Sequence, residues 1–183
     1  MCGIAGSIGI RDVETVDRML DALPHRGPND RGIHINGDAV FGHTRLSIVD
    51  VARGHQPILA NGGRSGIICN GEVYNFRKLR EKFLSKYSFK TKSDSEVILH
   101  LYQEKGPECV KYLDGMYAFA LFDGDDFLMA RDPIGIKPLY YGYENGNLYF
   151  TSELGAMTLA AVSYTHLRAH ETNCNISYAV FCL

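Results

Sequence analysis

An α+β domain built from antiparallel sheets is what the sequence predicts, and two observations carry the prediction. Short apolar or alternating runs dominate residues 1–161, which favours strands over helices. The helical segments lie in separate blocks between hairpin-linked strands, whereas a parallel sheet would alternate each strand with a helix. Neither a Walker motif nor a dinucleotide-binding fingerprint occurs in the sequence, so nothing indicates a nucleotide-binding parallel sheet.

The predicted strands are joined in two places by turns of hairpin composition. These turns are Phe122-Asp-Gly-Asp-Asp-Phe127 and Glu144-Asn-Gly-Asn147. In the second turn, Asn145 and Gly146 form the strongest short hairpin signal because both residues tolerate a positive φ. The predicted strands cover residues 4–10, 32–35, 39–43, 66–70, 116–123, 127–131, 139–143 and 148–151.

Helical segments are predicted between these strands from their caps and apolar spacing. Asp12 and Asn75 are expected to cap the first two helices. Ser93 and Glu96 form a capping box that would open the third helix, and Pro107 suits the first turn of a short fourth one. The predicted helices cover residues 13–23, 76–85, 94–105 and 107–114.

Composition is that of an ordinary globular protein with one domain, or with a domain and part of another. The 183 residues carry a formal net charge of −2 with neither sign concentrated, so neither nucleic acid nor a membrane is predicted as a partner. No apolar stretch is long enough to cross a bilayer, and no signal peptide is recognised. The five cysteines lack CxxC or other metal-ligand spacing, so a reducing, cytoplasmic location is expected.

The segment from residue 162 onward has a different pattern from the preceding sequence. Residues 162–172 resemble the translation of a transposase-type sequencing-library adaptor, and residues 176–183 resemble a translated flow-cell primer. On this interpretation residues 162–183 form no domain, and the chain is a fragment whose natural sequence is cut near residue 161. Four side chains are then expected to carry no function: His166, His170, Cys174 and Cys182. The alternative is a divergent tail whose two histidines have helical metal-ligand spacing.

Cys2 stands directly after the initiator and before a glycine. A lone cysteine is ordinarily a small, buried, apolar residue. If Met1 is removed, which the small cysteine side chain permits, Cys2 carries a free α-amine beside its thiol. A nucleophile and a base would then lie on one residue. Taken alone, this stretch leaves both interpretations open.

Two further stretches place polar residues beside predicted strands. Arg45 precedes the apolar residues 46–49, so its guanidinium should emerge from ordered backbone and would suit a carboxylate. Asn70 and Gly71 follow a buried run. As a turn this pair needs no function, whereas an amide and a glycine N–H together suit an oxyanion.

Glu72 and Asp94 add acidic groups that can accept hydrogen bonds from an ammonium. Asp94 also has a structural explanation, because an acid at a helix start stabilises the helix dipole. An arginine, two acids and an Asn-Gly pair together suit an α-amino acid with an attackable side-chain carbonyl. Spacing alone does not assemble these residues, and each taken singly is more often structural.

The chain carries a series of motifs in a fixed order: Cys2-Gly-Ile-Ala-Gly6, His25-Arg-Gly-Pro28, Arg45-Leu-Ser-Ile-Val-Asp50, Gln56-Pro57, Asn70-Gly-Glu-Val-Tyr-Asn75, Ser93-Asp-Ser-Glu96, Asp114-Gly-Met-Tyr-Ala-Phe-Ala120 and Arg131-Asp-Pro-Ile-Gly-Ile-Lys-Pro-Leu-Tyr140. Together they resemble the glutaminase domain of class II glutamine amidotransferases. Within that group they are most similar to the glutamine-hydrolysing asparagine synthetases, over residues 1–157.

The resemblance implies an N-terminal-nucleophile hydrolase fold over residues 1–161, which is a four-layer αββα sandwich of two antiparallel sheets between helices. It implies Cys2 as the nucleophile, its freed α-amine as the general base, and Asn70 with Gly71 as the oxyanion hole. It also implies the residues that bind glutamine. They are Arg45, Leu46, Ser47, Ile48 and Val49 for the α-carboxylate, Asn70 and Gly71 for the side-chain carbonyl, and Glu72 and Asp94 for the α-ammonium.

The reaction that the resemblance implies is hydrolysis of glutamine to glutamate and ammonia through a cysteine thioester, with no metal or cofactor. In an intact parent, a second domain would activate aspartate with ATP and Mg²⁺, and the ammonia would convert it to asparagine. The pyrophosphate loop of such a domain does not occur before residue 161. The implied partners are glutamine, with aspartate and ATP in the parent, and a homodimer is left open.

Several alternatives stay open beside this interpretation. Sister families that aminate a sugar phosphate or phosphoribosyl diphosphate share the cysteine and the Asn-Gly pair. Asn29 also stands where asparagine synthetases typically have an acid directly after the His25-Arg-Gly-Pro28 motif. The remaining alternatives are an amidotransferase acting on another carboxylate, a module that binds glutamine without cleaving it, and a truncated reading frame with no stable product.

Overall fold

The computed structural model describes residues 1–47, 54–160, 168–169 and 179–182. Its strands are β1 Gly3–Ile8, β2 Asp30–Asn36, β3 Ala39–Arg45, β4 Ile58–Ala60, β5 Ser65–Val73, β6 Gly115–Asp123, β7 Asp126–Arg131, β8 Tyr140–Glu144, β9 Asn147–Thr151, β10 Arg168–Ala169 and β11 Ala179–Cys182. Its α-helices are α1 Val13–Asp21, α2 Phe76–Phe83, α3 Glu96–Lys105 and α4 Leu154–Met157. Shorter 3₁₀ helices cover Asn61–Gly63, Gly106–Tyr112 and Thr158–Ala160.

Two antiparallel sheets form the middle of the molecule. The first has the strand order β10-β8-β9-β1-β3-β2, and the second has the order β11-β7-β6-β5-β4. β1 pairs with β3 on one side and with β9 on the other. The backbone that follows Met1 is therefore held from both sides, which makes the chain start a rigid part of the fold.

Apolar clusters show that the sheets lie face to face between helices. One cluster joins residues of both sheets, including Ile4 and Phe41 from the first and Ile68 and Phe122 from the second. The rings of Phe41 and Phe122 are 4.9 Å apart between centroids. A second cluster packs α1 and α4 against the first sheet, and a third packs α2 and α3 against the second sheet. The predicted α+β fold, a four-layer αββα sandwich, is confirmed.

Two local predictions follow the sequence closely. The Asp12 side chain accepts a hydrogen bond from the Thr15 backbone N–H at 3.0 Å and caps α1, as the cap preference of aspartate predicts. Asn145 and Gly146 have φ angles of 52° and 82° in the turn between β8 and β9. Positive φ at both central residues matches the twist of a two-residue hairpin.

The predicted turn at Asn70 and Gly71 is wrong, because both residues lie inside β5. They pair with Ala118 and Tyr117 of β6, so the strand continues three residues beyond the predicted end at residue 70. The long partner strand supplies hydrogen bonds that outweigh the local turn preference of Asn-Gly. β4 was not predicted from the sequence, since three residues are too short to show an alternating pattern.

The capping box predicted for Ser93 and Glu96 is also wrong. Glu96 is the first residue of α3, and its carboxylate accepts hydrogen bonds from the backbone N–H groups of Lys90 and Thr91, at 2.7 Å each. Asn75 precedes α2 without capping it, because its side-chain amide is bonded to the backbone of residues 112 and 114 instead. In both cases the side chain bonds to backbone outside its own helix and does not cap the helix as predicted.

The short strands β10 and β11 lie in the segment for which no domain is predicted. They pair with β8 and β7 at one edge of each sheet, and the absence of a domain over residues 162–183 stays a prediction. Within the described part of the chain, no helix has both the length and the apolar character needed to span a membrane.

Candidate active site

Cys2 lies beside the first residue of β1, on the face that looks into the space between the sheets. Side chains alternate along a strand, and Ile4 and Ile8 of β1 belong to the core between the sheets. Cys2 is partly exposed where these residues are buried. The backbone N–H of Leu46 lies against the sulfur, with a distance of 3.4 Å from N to Sγ. A backbone donor at this distance can stabilise negative charge on sulfur.

Asn70 faces Cys2 from the second sheet by the same alternation. Ile68 belongs to the core between the sheets, so Asn70, two residues later, points the same way. The Asn70 Nδ2 donates to the carbonyl oxygen of Cys2 at 3.1 Å, and its Oδ1 accepts from Arg26 Nη2 at 3.2 Å. An amide NH₂ carries two hydrogens, so one remains for a ligand.

Arg26 is a site residue to which the sequence analysis assigned no role. Its side chain is buried, its Nε donates to the Cys2 carbonyl at 2.9 Å, and its Nη1 donates to Glu153 Oε1 at 2.8 Å. Partial burial alone raises the pKa of Glu153, but hydrogen bonds from Arg26 and His25 lower it below its usual value. Arg26 thus ties the backbone of Cys2 to the Asn70 amide. In the sequence, Arg26 is marked by its place in the His25-Arg-Gly-Pro28 motif. That motif has no apolar periodicity, so the sequence did not indicate that the side chain is buried.

Gly71 is required by the close approach of β6. A Cβ at this position would lie 2.2 Å from the backbone oxygen of Met116 and 2.5 Å from the Cα of Tyr117. No side chain fits at these distances without moving the backbone. The residue next to Asn70 therefore contributes only backbone to the site, which leaves space for a ligand close to its N–H.

Arg45 ends β3, and its side chain is buried beside Cys2 and Asn70 in the same pocket. Leu46 also lines the pocket, whereas Ser47 does not: its backbone N–H donates to Asn29 Oδ1 at 3.0 Å. Asn29 also donates its own backbone N–H to the Arg45 carbonyl at 3.0 Å. It therefore holds the chain on both sides of Leu46.

Ile48 and Val49, which are also predicted to bind the substrate carboxylate, lie outside the described residues. Their predicted role stays a prediction.

Glu72 and Asp94 form the acidic side of the pocket. Asp94 lies two residues before α3 and accepts the Val73 backbone N–H at 2.6 Å. Burial raises the pKa of Asp94 above its usual value of 3.8, while hydrogen bonds from backbone N–H groups oppose the rise. A buried carboxylate of this kind gains most from a cationic ligand.

Gln56 is a second residue whose role the sequence did not indicate. It is buried, lines the pocket, and clamps the backbone of Cys69: its Oε1 accepts from the Cys69 N–H at 2.6 Å, and its Nε2 donates to the Cys69 carbonyl at 3.3 Å. This clamp fixes β5 directly before Asn70. Only the short Gln56-Pro57 motif pointed to it in the sequence.

Two buried groups near the pocket are held in their neutral forms. Burial lowers the pKa of His43 to about 3, and burial raises the pKa of the Cys69 thiol. Both groups are therefore uncharged near neutral pH. Cys109 is also fully buried. Among the cysteines whose side chains the structure describes, Cys2 is the one that is partly exposed.

These residues surround a single pocket with a volume of about 220 Å³. It combines a thiol, a buried guanidinium, two carboxylates and the Asn-Gly pair of β5. The predicted site residues that line it are Cys2, Arg45, Leu46, Asn70, Gly71, Glu72 and Asp94. Met1, Gln56, Cys69 and Lys137 line it as well.

Comparison with known proteins finds relatives along most of the chain. Asparagine synthetase B [glutamine-hydrolyzing] of Escherichia coli (strain K12) is 46% identical over 165 residues, which cover 86% of this chain and 30% of that protein. Asparagine synthetase [glutamine-hydrolyzing] 2 of Arabidopsis thaliana is 43% identical over 166 residues, which cover 86% of this chain and 28% of that protein. The chain thus spans less than a third of the length of these curated relatives.

Solved structures confirm the fold. The glutamine phosphoribosylpyrophosphate amidotransferase from B. subtilis superposes with a TM-score of 0.77 at 20% identity, over 96% of this chain and 50% of that one. At this identity the likeness concerns the fold alone. A family described as a glutamine amidotransferase domain matches residues 1–175. Since that match covers most of the chain and every residue named as lining the pocket, this chain belongs to the glutamine amidotransferase domain family.

Proposed function

We propose that this chain hydrolyses glutamine to glutamate and ammonia, with Cys2 as the nucleophile and its freed α-amine as the general base. The observation that carries the proposal is the position of the Cys2 sulfur. It lies 3.4 Å from the Leu46 backbone nitrogen, at a pocket that Asn70, Arg45 and Asp94 also line. A thiol beside hydrogen-bond donors for an oxyanion is the arrangement that acyl transfer needs.

The pocket's charges support glutamine as the bound molecule. The Arg45 guanidinium suits the α-carboxylate and can bind it in bidentate fashion. Glu72 and Asp94 suit the α-ammonium. The second hydrogen of the Asn70 amide and the Gly71 N–H suit the oxygen of the side-chain carbonyl. Each end of a zwitterionic amino acid then meets a group of opposite charge, and no metal or cofactor is required.

The reaction follows in two balanced steps. The Cys2 sulfur attacks the side-chain carbonyl carbon of glutamine and forms a C–S bond, while the thiol proton moves through the α-amine to the leaving nitrogen. Ammonia leaves as the C–N bond breaks, and water then cleaves the thioester to glutamate and free thiol. An α-amine titrates at about 7.7–8.0 and a cysteine at about 8.5, so the proton transfer is nearly balanced near neutral pH.

The identity of the ammonia acceptor is a further part of the proposal. We infer that the acceptor is aspartate, activated with ATP and Mg²⁺ by a second domain of a cytoplasmic parent protein. The names of the relatives, asparagine synthetases, support asparagine as the product. This chain would then be the glutaminase fragment of that protein. An acceptor with another carboxylate and association into homodimers are questions for experiments on the parent.

Glutamate release from glutamine, measured on the purified chain, tests the proposal. We expect the wild type to release glutamate and Cys2→Ala to release none. Cys109→Ala, which changes a buried cysteine in the cluster between the second sheet and helices α2 and α3, should release glutamate as the wild type does. Intact mass is expected to show that Met1 is absent. If the folded protein lacks Met1 and binds glutamine but releases no glutamate, the chain is a binding module and the proposal is wrong.

A further inference from the structure

Lys137 is a buried cation at the pocket to which the proposed function assigns no role. Lys137 is 6% exposed, and it lines the same pocket as Cys2. Its Nζ lies 3.3 Å from the Met1 sulfur. Among the described residues, no other side chain bonds to this ammonium and no carboxylate pairs with it. A thioether is a weak acceptor, so the charge is buried without an adequate partner.

The loop that carries Lys137 is fixed in place by its own hydrogen bonds. The buried Asp132 carboxylate accepts the backbone N–H groups of Ile136 at 2.8 Å and of Lys137 at 3.0 Å. Arg131 Nε donates to the Lys137 carbonyl at 2.7 Å. The backbone N–H and the carbonyl of Lys137 are both hydrogen-bonded, so the position of its backbone is fixed. Its side chain extends from there toward Met1.

Removal of Met1 changes the surroundings of this ammonium. The Met1 sulfur is separated from the Cys2 nitrogen by five covalent bonds, so Lys137 lies near the group that becomes the free α-amine. When Met1 leaves, the thioether contact leaves with it. A buried ammonium without a partner is costly, so the site must supply a negative charge in its place.

We propose that the Lys137 ammonium is the counter-charge of the Cys2 thiolate that forms when the thiol proton passes to the α-amine in the processed chain. This inference rests on the proposed role of Cys2. A cation close by favours the thiolate over the thiol. Lys137 therefore favours the nucleophilic form of the Cys2 sulfur, while the α-amine keeps the proton that the leaving nitrogen receives.

The other charged groups facing Cys2 are committed elsewhere. Arg45 from β3 is proposed to meet the substrate carboxylate, and Glu72 of β5 and Asp94 before α3 are proposed to meet the substrate ammonium. With glutamine bound, these three groups face opposite charges.

Two further groups near Cys2 also supply no counter-charge to the thiolate. Arg26 is paired with Glu153 at 2.8 Å, and the buried Cys69 thiol is neutral because burial raises its pKa. With glutamine bound to Arg45, Lys137 is left as the positive charge available to the sulfur.

The test is the pH dependence of Cys2 alkylation by iodoacetamide, located by peptide mass spectrometry. Lys137→Met keeps the length of the side chain and removes its charge, whereas Lys137→Arg keeps the charge. We expect Lys137→Met to shift the alkylation midpoint upward by about one pH unit, as one charge within several ångströms does, and Lys137→Arg to keep the wild-type midpoint. Lys78→Met, which removes an exposed charge on α2, serves as the matched control.

Glutamine kinetics provide the second readout. We expect Lys137→Met to shift the acid limb of kcat/KM upward with little change in KM. An unchanged alkylation midpoint overturns the inference, and a raised KM with that unchanged midpoint assigns Lys137 to substrate binding instead. If Lys137→Met does not fold by circular dichroism, Lys137→Gln takes its place with the same expected shift. A shifted midpoint in a chain without glutaminase activity supports the Lys137 inference and contradicts the proposed function, so the two failures are distinguishable.

Discussion

At the scale of single residues, the environment decides which members of a residue type carry chemistry. Asn29 and Asn70 are both followed by a residue that favours turns, yet Asn70 is the one of the two that bonds to Cys2. Asn29 instead binds the backbone on either side of Leu46. Its position in place of the usual acid is therefore compatible with an ordered pocket. The difference lies in their positions: Asn70 lies inside β5, whereas Asn29 lies directly before the first residue of β2.

Asn70→Ala is expected to lower kcat for glutamine hydrolysis by about 10²–10³, because one of two donors to the oxyanion is removed. KM should change much less, since the oxyanion develops only in the transition state. Steady-state glutamate release measures both constants. Asn36→Ala, which removes an amide bonded to Gly124 at the far end of β2, is the control. A fall in kcat/KM caused by KM alone would contradict an oxyanion role for Asn70.

Asp94→Asn is expected to weaken glutamine binding and to stabilise the fold at neutral pH. Burial raises the pKa of Asp94, so the folded chain holds this proton more tightly than the unfolded chain. The carboxyl therefore favours folding below its ordinary value of 3.8, and this contribution is lost as the pH rises through the raised pKa. The free energy of unfolding of Asp94→Asn should exceed that of the wild type at pH 7 and approach it in acid.

Urea unfolding at several pH values and glutamine kinetics test both parts of this prediction. KM should rise by about ten- to a hundredfold, the effect of losing a charged hydrogen-bond partner. The exposed Asp38→Asn controls for the loss of one negative charge. Equal unfolding free energies of Asp94→Asn and wild type at every pH would mean that the Asp94 carboxylate carries no burial penalty.

At the scale of elements, Glu96 shows how a terminal residue of one helix orders the segment before it. Its side chain is buried and accepts from the backbone of Lys90 and Thr91 at 2.7 Å and from Thr91 Oγ1 at 2.6 Å. Burial alone raises the pKa of Glu96, but hydrogen bonds from His100, Thr91 and Lys90 lower it. The segment between Thr91 and α3 contains Asp94, so this carboxylate holds one wall of the pocket.

Glu96→Gln is expected to lower the free energy of unfolding at pH 7 by about 1–3 kcal/mol, since an ionised acceptor of several hydrogen bonds is lost. It should also raise KM for glutamine while changing kcat little, because Asp94 is displaced but Cys2 is not.

Because the pKa of Glu96 is lowered in the folded chain, its stabilising effect is present above the ordinary value of 4.5 and is lost as the pH falls through the folded value. Thermal unfolding and kinetics measure these effects, with Glu108→Gln at an exposed position of the 3₁₀ helix Gly106–Tyr112 as control. Unchanged KM would show that Glu96 supports the helix without ordering the pocket.

At the scale of the whole molecule, the site exists because two sheets are stacked. Cys2 and Arg45 come from one sheet, and Asn70 comes from the other, so no single element contains the proposed machinery. The core between the sheets fixes the distance between them. The three apolar clusters and the pocket are built from residues within 1–160.

Removal of residues 162–183 is expected to leave the unfolding temperature and glutaminase activity close to those of the longer chain. The described cores and the described pocket residues remain in residues 1–161, so we expect neither the fold nor the proposed chemistry to depend on the tail. Calorimetry and glutamate release on both chains measure the difference. A clear loss of either property would mean that the edge strands β10 and β11 are part of the domain.

The sequence by itself determined the fold class, the hairpin at Asn145-Gly146, the cap at Asp12 and seven of the residues that line the pocket: Cys2, Arg45, Leu46, Asn70, Gly71, Glu72 and Asp94. These features depend on local backbone preferences and on motifs in a fixed order, and both can be read from the amino-acid sequence. Tertiary structure alone decided that Asn70 and Gly71 stay in a strand, that Glu96 binds the preceding backbone, and that Arg26, Gln56 and Lys137 are buried around Cys2. Burial and the choice of hydrogen-bond partner depend on elements far apart in sequence, so no local pattern records them.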